Sequence, residues 1–219
     1  MKIPENWSFD AEGVAKSFDH HVREQLPWYD LVTGGIAHIA RHYLPEGGRL
    51  YDVGASTGNL ANVVDDLLTI RRASYIGIER SAKMLAQWQA NRWTPVLVDA
   101  LAYDYAHADV VVLNLVLMFL PTDVRGALLR RILDALVPGG VMIVVDKTPA
   151  VTGYPATVLW RMTLAGKVSQ GATPQEIIEK ELSLSGIQRP LDSALLPYNA
   201  VQWFRFGDFA GWLIEKPQA

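Results

Sequence analysis

Two hydrophobic periods alternate along this chain. Arg49–Val53, Tyr75–Ile78, Val96–Val98, Asp109–Leu115 and Val141–Val145 are short, nearly continuous apolar runs, the composition of strands covered on both faces. Between them, Leu60, Val63, Val64, Leu67 and Leu68, and later Leu128, Leu129, Ile132, Leu133 and Leu136, recur at helical spacing. Strand and helix in strict alternation predict βαβ units and a parallel sheet with helices on both faces. Pro138-Gly139-Gly140 is expected to stop the helix that starts at Val124 and turn the chain into the fifth strand. Val201–Phe206 and Phe209–Ile214, separated by Gly207-Asp208, read as an antiparallel hairpin. The expected fold is therefore α/β: a doubly wound, mostly parallel sheet of seven strands closed by an antiparallel C-terminal hairpin.

Two segments fall outside that alternation. Residues 1–47 read as a helical cap, with helices over Val14–Gln25 and Ile36–Leu44 separated by Pro27-Trp28-Tyr29 and Gly34-Gly35. Residues 148–198 carry five prolines with their border at Pro149, Pro155, Pro174, Pro190 and Pro197, and read as a helical insertion with one helix over Pro174–Leu184. Lying over the carboxyl ends of the strands, it is expected to shape a substrate pocket and to contribute to a homodimer contact.

With 219 residues, half of them hydrophobic, one core suffices, and a single domain over 1–219 is expected. A formal charge of −3 gives no global attraction to nucleic acid. No apolar run is long enough to span a membrane and residues 1–25 are too polar for a signal peptide, so a cytoplasmic protein is expected. The absence of cysteine excludes disulfides, thiolate metal sites and covalent activation of a pyrimidine by a thiolate. His38 and His42 have the i, i+4 spacing of a zinc pair but no third ligand nearby, so no metal is expected.

The chemistry concentrates after the first strand. In Leu50-Tyr51-Asp52-Val53-Gly54-Ala55-Ser56-Thr57-Gly58-Asn59, Gly54 and Gly58 permit a sharp turn and close approach of a ligand at a helix N-terminus. The fuller G-x-G-x-x-G spacing of a dinucleotide site is missing. Asp52 would repel a pyrophosphate but suits the ammonium and sulfonium charges of S-adenosylmethionine. Glu79 ends the next strand, where a carboxylate can accept both ribose hydroxyls, and Asp99 ends the third, placed for an adenine amino group. Three strand-end acids after one glycine loop point to that cofactor and to a class I methyltransferase fold. Asn114-Leu115-Val116-Leu117 lacks the prolines and stacking aromatic that hold a flipped base, which argues against N-methylation in duplex DNA.

Phe18-Asp19-x-x-Val22, Pro27-x-Tyr29, Val111-Val112-Leu113-Asn114, Phe119-Leu120-Pro121, Arg125-x-Ala127-Leu128-Leu129 and Trp203-Phe204-x-x-Phe206, together with the glycine loop, resemble the carboxy-S-adenosylmethionine synthase family. The likeness covers most of residues 18–147 and returns at 201–216. That family makes a carboxylated sulfonium from S-adenosylmethionine and prephenate for tRNA wobble-uridine modification. The resemblance implies cofactor contacts from Tyr29, Gly54, Ala55, Ser56, Glu79, Arg80, Asp99, Ala100 and Asn114, and a homodimer. Where the family holds the added carboxylate with an arginine, this chain has Glu181. A carboxylate there is expected to repel the carboxylated nucleoside and favour plain S-adenosylmethionine.

Three readings follow. The first is a methyltransferase acting on an oxygen or nitrogen of a small-molecule or RNA acceptor, mainly by in-line positioning. Its base would come from Tyr29, His20, His21, Asp146 or Lys147. The second is the carboxy-S-adenosylmethionine synthase itself, and the third a non-catalytic cofactor-binding subunit. Trp28 and Trp160 are expected to wall the substrate pocket, with Trp203 and Trp212 in the core of the hairpin.

Overall fold

The computed structural model describes residues 2–218. Its sheet has seven strands in the order β3-β2-β1-β4-β5-β7-β6. These are β1 (Arg49–Val53), β2 (Ser74–Glu79), β3 (Val96–Leu97), β4 (Ala108–Asn114), β5 (Leu136–Lys147), β6 (Val201–Phe206) and β7 (Phe209–Glu215). The first five run parallel, and β7 pairs antiparallel with both β5 and β6. The chain order reverses between β1 and β4, so their carboxyl ends border the crevice where such sheets bind ligands.

Alternation along the central strands sorts the core onto two faces. Val110 and Val112 of β4, with Val141, Ile143 and Val145 of β5, pack against α2 (Tyr29–Tyr43) and α3 (Asn59–Arg71). Val111, Leu113, Met142 and Val144 face the other way, onto Leu128, Leu129 and Ile132 of α5 (Thr122–Ala135). The strands read as unbroken apolar runs because both of their faces are covered.

Several boundaries depart from the sequence reading. α2 begins at Tyr29 and runs straight through Gly34-Gly35. Glycine is a poor helix former, but Val32 and Ile36 are buried on either side, and Gly35 sits where a Cβ would come within 2.9 Å of the Trp203 ring. Close helix–hairpin packing outweighs the propensity cost. β5 starts at Leu136, so Pro138-Gly139-Gly140 lies inside the strand and not before it. Gly139, at φ +77°, donates its N–H to the Lys216 carbonyl, and Gly140 accepts from the Lys216 N–H. The third strand is only two exposed residues long.

The N-terminal segment leads into α1 (Val14–Gln25), and a short α4 (Ala82–Leu85) follows β2. The insertion holds two helices, α6 (Tyr154–Ser169) and α7 (Pro174–Ser183), the first of which was not expected. Its apolar residues occur all around the helix, so no stripe marks it, and Tyr154, Val158 and Trp160 stand exposed. α7 opens on a capping box in which Thr173 and Glu176 satisfy each other's backbone. The buried guanidinium of Arg125 donates to the carbonyls of Leu120, Arg189 and Pro190, pinning the far end of the insertion beside the strand ends. Among the described residues no helix is long and apolar enough to cross a membrane.

Candidate functional site

Two adjoining cavities open at the carboxyl ends of the parallel strands. The smaller is lined by Gly54, Ser56, Glu79, Arg80, Asp99 and Ala100, among others. The larger, about 740 Å³, extends under α1, α6 and α7 and includes Tyr29, His21, Asn114, Lys147 and Lys180 in its wall. Phe9, Phe18, Ser56, Leu115 and Phe119 border both, so the two form one crevice.

The glycine loop is built around strained backbone. Gly54 has φ +74°, and a Cβ there would come within 2.7 Å of Val116. The N–H groups of Gly54 and Ala55 both donate to the Ile78 carbonyl, which fixes the loop to β2. Ser56 and Leu115, neither a glycine, also adopt positive φ (57° and 62°), and both border the crevice. Such conformations cost free energy and persist where function or packing demands them. Gly58 caps α3 at φ +91° against Trp88 and Ala90 and lines neither cavity. Its role is in shaping the turn.

Glu79 accepts from the backbone N–H groups of Ser56 (3.0 Å) and Ser81 (2.8 Å). Burial raises its carboxyl above the usual range, and those backbone donors limit the rise. Asp99 accepts from the N–H of Leu101 at 2.8 Å. The hydroxyl of Ser56 and the side-chain carbonyl of Asn114 are buried with no hydrogen-bond partner. Unpaired polar atoms at the mouth of a crevice fit a ligand that supplies the missing partners.

Other expected positions fall elsewhere. Asp52 lines neither cavity; it is buried beneath the loop and accepts from the Tyr75 hydroxyl at 2.6 Å. Burial pushes its carboxyl up to about 7. His20 points to solvent and pairs with Glu24 at 3.0 Å, away from the crevice. Asp146 is fully buried, accepts from the N–H groups of Met118 and Lys147, and faces neither cavity. Burial raises the Tyr29 phenol well above its ordinary value, so at neutral pH it keeps its proton and is no base. Trp28 packs between Phe204 and Phe209 in the core, whereas Trp160 does border the large cavity.

The large cavity also gathers residues the sequence did not bring forward. Trp7, Gln25 and Lys167 are these, and they join His21 and Lys180, the lysine next to Glu181 that could compensate its charge, at the inner wall. Glu181 is bonded to Lys167 at 2.9 Å. Its expected repulsion of an added carboxylate is therefore offset by a partner on α6, and the charge argument against the carboxylated nucleoside loses its main support. A lysine on a helix reads as solvated until another segment covers it, so nothing in the spacing of Lys167 marked it.

A seven-stranded sheet of this order, with a glycine loop after β1 and an acid closing β2, defines the class I S-adenosylmethionine-dependent methyltransferase fold. A family model described as a methyltransferase domain matches residues 51–142. The plantazolicin methyltransferase BpumL, solved with SAH, superposes with a TM-score of 0.64 at 13% identity, over 95% of this chain and 92% of that one. The N-methyltransferase NodS from Bradyrhizobium japonicum does so with a TM-score of 0.54 at 13% identity, over 89% and 99%. These likenesses concern the fold alone.

Sequence relatives are more specific. A carboxy-S-adenosyl-L-methionine synthase from Helicobacter hepaticus is 30% identical over 198 residues, 86% of this chain and 82% of that protein. One from Staphylococcus epidermidis is 25% identical over 225 residues, 97% of this chain and 98% of that protein. The chain belongs to the carboxy-S-adenosyl-L-methionine synthase family, a branch of the S-adenosylmethionine-dependent transferases.

Proposed function

We propose that this protein is a carboxy-S-adenosyl-L-methionine synthase. It would bind S-adenosylmethionine in the crevice and place a carboxylate on the sulfonium methyl carbon, with no methyl group passed to an outside acceptor. The observation that carries this reading is the large apolar cavity joined to the nucleoside crevice, with Lys147, Lys167 and Lys180 in its wall. A second, anionic organic molecule has room there beside the cofactor, and Lys147, which bonds the neutral amide of Gln188, faces it as a countercharge. The resemblance implies prephenate as the carboxyl source.

The residues present suit the cofactor. Glu79 would take the ribose hydroxyls and Asp99 the adenine amino group, while Ser56 and Asn114 offer their unpaired atoms to its amino-acid portion. S-adenosylmethionine supplies a methyl group whose hydrogens are acidified by the adjacent positive sulfur. The chain's part is to hold both molecules in register and exclude water, through Phe9, Phe18, Leu115 and Phe119 at the junction. Tyr29 contributes a hydrogen-bond donor, and Lys147, held by Gln188 at 2.7 Å, a fixed positive charge.

Donor binding tests this. Because Lys167 neutralises Glu181, the natural protein is expected to prefer the carboxylated nucleoside to plain S-adenosylmethionine in competition for the same site. Lys167→Met leaves the Glu181 carboxylate unpaired, and losing such a charge-assisted contact costs about 1.5–3 kcal/mol. The variant should lose affinity for the carboxylated nucleoside at least tenfold while plain S-adenosylmethionine is little changed. A natural protein that prefers plain S-adenosylmethionine would return the reading to methyl transfer.

A further inference from the structure

Trp7 and Val14 are buried, in a small apolar cluster with Leu184 that stands apart from the cores on the two sheet faces. The six residues between them are exposed or half-buried. They run along the crevice as a turn, in which the Ala11 N–H donates to the Ser8 carbonyl and the Val14 N–H to the Ala11 carbonyl. Phe9 borders both cavities, edge-on to Phe18 and Phe119 with ring centroids 6.1 and 5.1 Å away. Gly13 ends the segment at φ +80°, and a Cβ there would meet nothing within 4 Å. Packing does not require that glycine; the backbone conformation does.

Two polar contacts hold the segment down, both from the stretch after β2. Ser81 donates its hydroxyl to the Asp10 carboxylate at 2.6 Å, and Lys83 donates to the Asp10 carbonyl at 2.6 Å. Ser81 is 1% exposed, and its backbone N–H donates to Glu79 at 2.8 Å. One serine therefore serves two carboxylates: the strand-end acid of the nucleoside crevice and an acid on an exposed segment. Its hydroxyl oxygen also accepts from the Met84 N–H at 3.2 Å, which fixes it to the first turn of α4. A short segment with few buried contacts opens at far lower cost than the whole fold.

We propose that residues 8–13 are a flap that opens to admit the nucleoside and shuts behind it, latched by Asp10 to Ser81, and that Ser81 is the positioning residue through which Glu79 holds the latch. The flap stands on the nucleoside crevice alone, whatever reaction follows there. With the flap down, Phe9 covers the junction of the two cavities while Trp7 and Val14 stay anchored. Ribose hydroxyls on Glu79 fix its carboxylate, the carboxylate fixes the Ser81 N–H, and the serine so held keeps its hydroxyl on Asp10. Such coupling is reciprocal, so a shut flap also holds the ribose more tightly. Asp10 itself lines neither cavity, and its effect falls on entry and exit. A latch present with and without ligand slows both, and affinity shifts only by the coupling. An ordinary binding contact acts mainly on exit.

Surface plasmon resonance with the full chain immobilised measures S-adenosylhomocysteine association and dissociation. Asp10→Ala should raise both rate constants about tenfold, the effect of one charge-assisted hydrogen bond, while the dissociation constant changes by less than about threefold. Asp10→Asn keeps an acceptor oxygen for the Ser81 hydroxyl and should lie nearer the natural protein than the alanine variant does. Lys83→Met, at an exposed position, should also raise both rates, and it decides alone if Asp10→Ala does not fold. Hydrogen exchange tests the ribose link. Saturating S-adenosylhomocysteine should slow exchange across residues 8–13, and its 2′-deoxy analogue at saturation should slow it less. Unchanged rates, a weaker affinity arising from dissociation alone, or equal protection by the two ligands overturns the proposal. So does absence of binding, which removes the nucleoside crevice with it. A protein with a working flap that makes no carboxylated nucleoside loses only the synthase reading, and a synthase whose rates ignore Asp10 loses only the flap.

Discussion

Glu79 spends one hydrogen bond from each carboxylate oxygen on the backbone, at Ser56 and Ser81. An ionised carboxylate has about four acceptor positions, so two remain for vicinal hydroxyls. Glu79→Ala removes both the loop anchor and those acceptors, at about 1.5–3 kcal/mol per charged hydrogen bond. Calorimetry with S-adenosylhomocysteine should show affinity reduced at least tenfold, and an unchanged value would mean that the ribose is held elsewhere. Glu79 and Asp99 were legible because an acid closing an apolar strand breaks the pattern visibly. Asp52 has the same signature, yet its side chain turns into the layer beneath the loop, where Tyr75 receives it. Which way a strand-end side chain points depends on the residue across the register, Gly77 in this case, and on the aromatic behind it. Lys180 is the opposite case, since a lysine on a helix reads as solvated until another segment covers it.

Residues 7–25 form a strap over the crevice, tied down at three points. The Trp7 backbone N–H donates to the Ser183 carbonyl on α7, and Ser81 donates its hydroxyl to Asp10 at 2.6 Å. Asp19 on α1 accepts from Thr57 (2.6 Å), Asn59 (2.8 Å) and Gln89 (2.5 Å), clamping the end of the glycine loop and the start of α3. Asp19→Ala removes all three contacts to α1. It should accelerate amide hydrogen exchange across residues 7–25 and weaken S-adenosylhomocysteine binding by about tenfold, while the exchange of β4 and β5 stays slow. Equal exchange in the strap would show that packing by Phe9 and Phe18 holds it without Asp19. The sequence marked α1 by its helical spacing and Phe18-Asp19 by resemblance, but a clamp made of residues separated by 38, 40 and 70 positions has no local signature. α6 escaped for a related reason: it shows no apolar stripe, and its helical state depends on neighbours it meets only in the folded chain.

At the scale of the whole molecule, the doubly wound sheet follows from the alternation of apolar runs and helical spacing, and the C-terminal hairpin from two β-rich runs around Gly207-Asp208. What the pattern left open was the content of the crevice, because cavity walls are assembled from α1, α6, α7 and the strand ends at once. The assembled site places an apolar, lysine-bearing chamber beside a nucleoside crevice, and the central claim is that the methyl carbon of S-adenosylmethionine is carboxylated there and not transferred. The most direct measurement is to supply S-adenosylmethionine with a fully deuterated methyl group, together with prephenate, and to weigh the nucleoside product. A carboxylated nucleoside retaining two deuterium atoms is expected, since one methyl hydrogen is replaced by the new carbon–carbon bond. S-adenosylhomocysteine free of deuterium, with the label on an acceptor, would contradict the account.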